Sequence, residues 1–236
     1  QARVYGVRPE RTFRQAATKY LEDAMDAGEL RSLDRNAQAL RLLDPYIGQL
    51  PLTQVHMGTL EPYIRDRRKQ GIRTGTTRRD LAAVRRVLNL AARLWRDEHG
   101  LSWLETPPLI QLPKNLDARK PYPLSWDEQR LLFPRLPAHL QRMALFKVNT
   151  GCREQEVCGL RWDWEVKVPE FETSVFIIPD AQVKNGSERL VVLNEVAWSV
   201  IEGQRESNPE FVFTYRGNRV TRMHNTAWKR SRQLAA

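Results

Sequence analysis

Residues 150–156 read Thr150-Gly151-Cys152-Arg153-Glu154-Gln155-Glu156, with Leu160, Arg161 and Trp162 close behind. Arg153 stands just past a helix-stopping glycine. A guanidinium never loses its charge and presents a planar fork of donors, which suits the oxygens of a phosphate or carboxylate. Further on, Lys184-Asn185-Gly186-Ser187 separates two runs rich in β-branched residues. Asn-Gly in that setting is the strongest short hairpin signal, so Lys184 is expected on a hairpin tip. A third basic group lies earlier in the chain. Thr76, Thr77, Arg78 and Arg79 open a helical stripe, and Arg85 and Arg86 continue its basic side. Hydroxyls and amides at a helix start, joined by arginines, favour phosphate. Arg65, Arg67, Arg68 and Lys69 form a weaker cluster, of a kind common on exposed helix ends. Cys152 and Cys158 have neither zinc spacing nor partners for a disulfide framework and read as two packed thiols, so no metal is expected.

The elements that must carry these groups fall into two parts. The first hundred or so residues read as four helices. Phe13, Ala16, Ala17, Tyr20, Leu21, Ala24 and Met25 follow helical spacing, with Thr12 as cap and Gly28 as stop. A second helix is expected over residues 32–43, broken at Asp44-Pro45. A third is expected over residues 57–70, with Pro62 in its first turns and Gly71 as stop. The fourth shows the clearest stripe, Leu81, Val84, Leu88, Ala91 and Trp95, and Gly100 is expected to end it. Residues 105–123 gather five prolines, with Lys114, Arg119 and Lys120 among them, and read as a stiff basic linker.

A mixed second part follows. Ser125 and Glu128 form a capping box, and a helix over residues 140–149 closes at Gly151. Strands are expected over residues 174–178, 189–193 and 211–213, helices over 195–206 and from Met223, and a turn at Arg216-Gly217-Asn218. The expected fold class is therefore α+β, mainly α with a small β-sheet. Residues 1–104 form a helical domain, 105–123 a linker and 124–236 a mixed domain.

Composition narrows the function. The 236 residues carry a formal net charge of +10. The excess is concentrated in residues 1–104, with 19 basic against 12 acidic residues. Such a balance favours a polyanion, nucleic acid before an anionic membrane. No apolar stretch approaches the roughly 18 residues of a membrane span, and no signal-peptide core is present.

The 150–156 segment, followed by Leu160 and Trp162, resembles the first catalytic box of tyrosine recombinases of the phage integrase family, T-G-x-R-x-x-E and then L-x-W. The resemblance implies a SAM-like helical core-binding domain, a linker and the N-terminal part of a mixed catalytic domain, closed around double-stranded DNA as a clamp. It implies attack by a tyrosine hydroxyl on the scissile phosphate, giving a 3′-phosphotyrosyl link and a free 5′-hydroxyl. Arg153 would stabilise the charge gathered on the phosphate, and Lys184 would protonate the leaving oxygen. Glu156 would support Arg153. Thr76, Thr77, Arg78, Arg79, Arg85 and Arg86 would bind DNA, with Arg79 matching a recurring family arginine. No metal, nucleotide or small-molecule cofactor is implied. The parent is expected to assemble as a tetramer on paired sites, to be cytoplasmic, and to be encoded by a bacterium or phage.

The chain departs from that pattern downstream. The family's second box, His-x-x-Arg, and its tyrosine nucleophile have no counterpart after the first box; His56, His99 and His139 all lie before it. Three residues after His224 stands Ala227, and of the tyrosines only Tyr215 follows the first box, too early for the role. The chain, which begins at Gln1 and stops where the second box should approach, is therefore expected to be a DNA-binding fragment inactive alone. The alternative is a regulator that kept the clamp and lost the chemistry.

Overall fold

The computed structural model describes residues 8–28 and 30–235. It divides into two compact units, Gln1–Pro121 and Tyr122–Ala236.

Among the described residues, four helices build the first unit: α1 Phe13–Asp26, α2 Leu30–Ile47, α3 Met57–Lys69 and α4 Thr74–Arg93. Thr12 caps α1 in a reciprocal box, its hydroxyl accepting from the Gln15 N–H while Gln15 Oε1 accepts from the Thr12 N–H. Phe13, Tyr20, Leu43, Ile47, Leu60, Tyr63, Leu81, Val84 and Leu88 close into one core. Each such fully buried large side chain contributes about 1.5–3 kcal/mol relative to exposure.

Two boundaries differ from expectation. The second helix does not break at Asp44-Pro45 but runs on to Ile47. Pro45 falls in the last turn and forfeits one intrahelical bond, that of its own missing N–H, and the burial of Ile47 offsets that loss. The fourth helix stops at Arg93, short of Gly100. Trp95 still completes the apolar stripe, but from beyond the helix end, with its N–H on the Leu90 carbonyl. The proline-rich stretch is partly packed as well, since Ile110 is buried in this first core and Leu112 packs against it.

The second unit contains α5 Trp126–Leu132, α6 Ala138–Thr150, α7 Glu154–Cys158, β1 Glu165–Val168, β2 Thr173–Ile178, β3 Arg189–Val192, α8 Glu195–Glu202, β4 Thr214–Tyr215, β5 Asn218–Arg219 and α9 Thr226–Ala235. The architecture is α+β. Strands β1, β2 and β3 form an antiparallel meander in that order, with Val175 opposite both Val166 and Val192. Phe176, Ile178 and Val191 point inward onto Phe146, Val157, Leu160 and Ile201.

Strand β1 was not expected. Its four residues include Lys167, and its pattern is too short to register alone. Residues 211–213 do not form a strand; Phe211 makes one bridge to Arg161, and the hairpin forms instead from β4 and β5. There Arg216 and Gly217 both take positive φ (52° and 76°), as a tight primed turn demands. The helix expected to reach residue 206 ends at Glu202, and the last helix starts at Thr226, where Asn225 accepts from the Trp228 N–H. No helix among the described residues is long and apolar enough to cross a membrane.

Candidate phosphate-binding site

The site begins at the end of α6. Thr150 donates its hydroxyl to the Phe146 carbonyl at 2.8 Å and accepts from the Cys152 N–H at 3.3 Å. Gly151 then turns the chain in the left-handed region, φ 65°, a conformation costly for any residue with a Cβ. The chain reverses at once into α7, with Arg153 at its N-cap.

Glu156 stands three residues on and is buried at 4 % exposure. Its Oε2 accepts from the Arg153 backbone N–H at 2.7 Å, and its Oε1 accepts from Arg153 Nη1 at 2.8 Å. A second guanidinium reaches the same carboxylate. Arg189 Nη1 lies 3.0 Å from Glu156 Oε2, and Arg189 Nη2 donates to the Gly151 carbonyl at 2.9 Å. One buried anion is thus held between two cations, and the group carries a net positive charge. Arg153 keeps 45 % of its side chain exposed. A half-exposed guanidinium held at one end by a buried carboxylate is an oriented donor for an incoming anion.

Arg189 is absent from the sequence-derived set. It carries no motif position of its own. The available signal was indirect: a glutamate on the core side of a helix needs compensating charge, and Arg189 opens strand β3 beside the expected hairpin.

Lys184 stands exposed on that hairpin, between β2 and β3, and Gly186 takes φ 66° in the same turn. Arg189 sits at the hairpin's base, opposite Ile178. The loop bearing Lys184 and the turn bearing Arg153 are therefore tied through one side chain.

The neighbours of the box are structural. Arg161 pairs with Asp163 at 3.0 Å and Glu210 at 2.6 Å. Trp162 donates its indole N–H to the Asn208 carbonyl at 2.9 Å. Burial would raise the Glu154 carboxyl, but hydrogen bonds from His224 and from the backbone N–H groups of His224 and Met223 outweigh it and hold the carboxyl below its ordinary range. Cys152 and Cys158 are buried free thiols. Burial raises both, Cys158 to about 11, so neither is a ready nucleophile. Among the described residues no cluster of three or more His, Cys, Asp or Glu could hold a metal.

The basic group of the first unit lies along α4 and divides into two sets. Thr77 is buried, and Thr76 is partly so. Arg78 donates to the carbonyls of Leu112 and Pro113, and the Thr74 N–H is taken by Asp117 at 2.8 Å. That hydrogen bond holds the Asp117 carboxyl below its usual range. The start of α4 is thus occupied by the chain's own proline-rich segment. Arg79, Arg85 and Arg86 are exposed, as is Arg93. The spacing of seven between Arg79, Arg86 and Arg93 places those three on one helix face. None of the four forms an ion pair among the described residues.

No family model matches the chain, and no curated protein matches it. Solved structures do. A lambda integrase dimer bound to a COC′ core site superposes with a TM-score of 0.72 at 12% identity, over 96% of this chain and 64% of that one. The Tn1549 transposon integrase in complex with transposon right end DNA gives 0.62 at 14% identity, over 89% and 74%. XerH site-specific recombinase bound to a palindromic difH substrate gives 0.57 at 17% identity, over 86% and 59%. The chain thus has the fold of the tyrosine recombinases and spans under two thirds of the lambda integrase chain in that first complex.

Proposed function

We propose that this chain is the DNA-binding and arginine-bearing part of a tyrosine-type site-specific DNA recombinase, acting in DNA integration or a related exchange. The observation that carries the reading is the Thr150–Glu156 box, with Arg153 half exposed on a buried Glu156, set in a fold shared with three DNA-bound recombinases. In that reaction a tyrosine hydroxyl attacks phosphorus and the 5′-oxygen leaves. Negative charge grows on the non-bridging oxygens, and preorganised cations placed there lower the barrier most. Arg153 is that cation. Lys184 delivers the proton that the leaving oxygen needs. Glu156 supports Arg153 and the start of its helix and does not meet the substrate.

After the 150–156 box the chain has no His-x-x-Arg pair, since Ala227 stands three residues after His224, and no tyrosine other than Tyr215, so the 236 residues bind double-stranded DNA without cutting it. Arg79, Arg85 and Arg86 bind the DNA backbone from the first unit. Thr76, Thr77 and Arg78 are the weaker members of that set, since Thr77 is buried and Arg78 is engaged by Leu112 and Pro113. The lambda integrase is also seen as a tetramer on a Holliday junction, and the whole protein is proposed to assemble in the same way on paired sites in the cytoplasm.

Suicide DNA substrates test the proposal. The 236-residue chain should retain duplex DNA and form no covalent adduct. A longer product of the same reading frame, reaching a tyrosine beyond residue 236, should form one, and Arg153→Ala in it should abolish the adduct while weakening DNA retention less than about tenfold. A frame that stops directly after Ala236 favours a non-catalytic DNA-binding module. An adduct from the 236-residue chain itself overturns the division of roles.

A further inference from the structure

Glu156 is held by more charge than it needs. Its side chain is 2 % exposed, and it faces two guanidiniums, Arg153 at 2.8 Å and Arg189 at 3.0 Å. The two arginines are not equivalent. Arg153 is three residues from Glu156, 45 % exposed, and bound by its side chain to Oε1 alone. Arg189 is 27 % exposed and fixed at two points, to Glu156 Oε2 and to the Gly151 carbonyl. If the Arg153 guanidinium swings away, Oε1 loses its donor. Oε2 keeps the Arg153 backbone N–H and Arg189, so the buried carboxylate remains neutralised. If Arg189 is absent, the same swing strands a buried anion on a single N–H, the costly case for a broken buried pair.

We infer that Arg189 is a positioning residue for Arg153: by holding the charge of Glu156 and the Gly151 carbonyl, it leaves the Arg153 guanidinium able to turn onto a DNA phosphate. The inference rests on the proposed reading that Arg153 meets phosphate. Arg189 itself touches no substrate in this account. Without it, Arg153 stays on Glu156 and one phosphate contact is lost.

The test is the salt dependence of duplex DNA binding by the 236-residue chain, in which each phosphate contact adds about 0.9 to the slope of log K against log salt. Arg153→Ala should lower the slope by about 0.9, and Arg189→Ala by the same amount. The double variant should lose no more than either single one. Combining Arg189→Ala with Glu156→Gln should restore the wild-type slope, because a neutral amide no longer retains Arg153. Arg189→Gln, nearer in size to the original side chain but uncharged, should behave as Arg189→Ala and serves if the alanine variant melts early. Additive losses with no rescue by Glu156→Gln would make Arg189 a phosphate contact and overturn the inference. So would an unchanged slope in Arg189→Ala beside a lowered slope in Arg153→Ala, which would leave Arg189 purely structural. An unchanged slope in Arg153→Ala itself would instead remove the reading beneath the inference.

Discussion

Arg153 grips Glu156 twice, through its backbone N–H at 2.7 Å and through Nη1 at 2.8 Å. The first bond is that of a helix N-cap to its third residue, and the second adds charge to it. The pair therefore serves the start of α7 as well as the proposed chemistry, and the two partners differ in what their loss costs. Glu156→Ala leaves two guanidiniums and a backbone N–H without their anion, and should destabilise the second unit by about 2–4 kcal/mol. Arg153→Ala leaves Glu156 with Arg189 and should cost about 0.5–1.5 kcal/mol. Denaturant midpoints of the two variants check the order. Equal losses would mean that Arg189 does not neutralise Glu156.

The exposed arginines of α4 should act on DNA and not on stability. Arg79→Ala and Arg86→Ala should each weaken duplex binding and lower the salt slope by about 0.9, with melting temperatures unchanged. Arg78→Ala should do the reverse, lowering the melting temperature because it frees the carbonyls of Leu112 and Pro113. Fluorescence anisotropy at several salt concentrations, with thermal melts beside it, separates the two classes. A DNA-binding loss in Arg78→Ala larger than in Arg79→Ala would contradict the assignment.

Acid should release the tie between α7 and the segment before α9. The folded-state pKa of Glu154 is depressed, because His224 and two backbone N–H groups bind its carboxylate. A depressed carboxylate stabilises the fold above its unfolded value, about 4.3, and that stability disappears as pH falls through the folded value. Wild type should therefore melt above Glu154→Gln at pH 7, and the gap should close below about pH 4. Melting curves across that range check this. A gap that stays constant on acidification would remove the carboxylate from the account.

Tyr63 gives the matching alkaline prediction. Burial, and then its 2.7 Å hydrogen bond to Asp80, push the phenol well above its ordinary range. The stabilising contribution is complete below the unfolded value, about 10, and is lost as pH rises toward the folded one. Tyr63→Phe removes a donor from Asp80, which is 5 % exposed, and should cost about 1–3 kcal/mol at neutral pH. The cost should shrink above about pH 10. A cost that does not change with alkali would show that Asp80 does not depend on the phenol.

Local patterns in the sequence were enough for much of the fold. Thr12, and Ser125 with Glu128, mark helix starts that the structure keeps, because capping is decided within four residues. The Asn185-Gly186 hairpin is equally local. Pro45 misled because burial of Ile47 outweighs one lost hydrogen bond, and tertiary burial is invisible in a short window. Strand β1 and the β4–β5 hairpin escaped for a related reason. Strands of two to four residues owe their existence to a partner. Within the candidate site, the Thr150–Glu156 box could be read from spacing alone. Arg189 could not, since its role arises from a contact across 33 positions of chain to Glu156. The helix start read at Thr76 as favouring phosphate begins instead at Thr74, and Asp117 fills it from the proline-rich segment.

The central claim is that the Arg153 guanidinium meets a DNA phosphate, and the Nε–Hε signals of the arginines observe that group directly. In a ¹H–¹⁵N spectrum of the 236-residue chain, the Arg153 side-chain signal can be assigned by its loss in Arg153→Lys. On addition of duplex DNA that signal should shift, and it should return when added salt releases the DNA. A stationary Arg153 signal, while the signals of Arg79 and Arg86 shift, would show that the chain binds DNA without presenting this arginine to it, and would contradict the account.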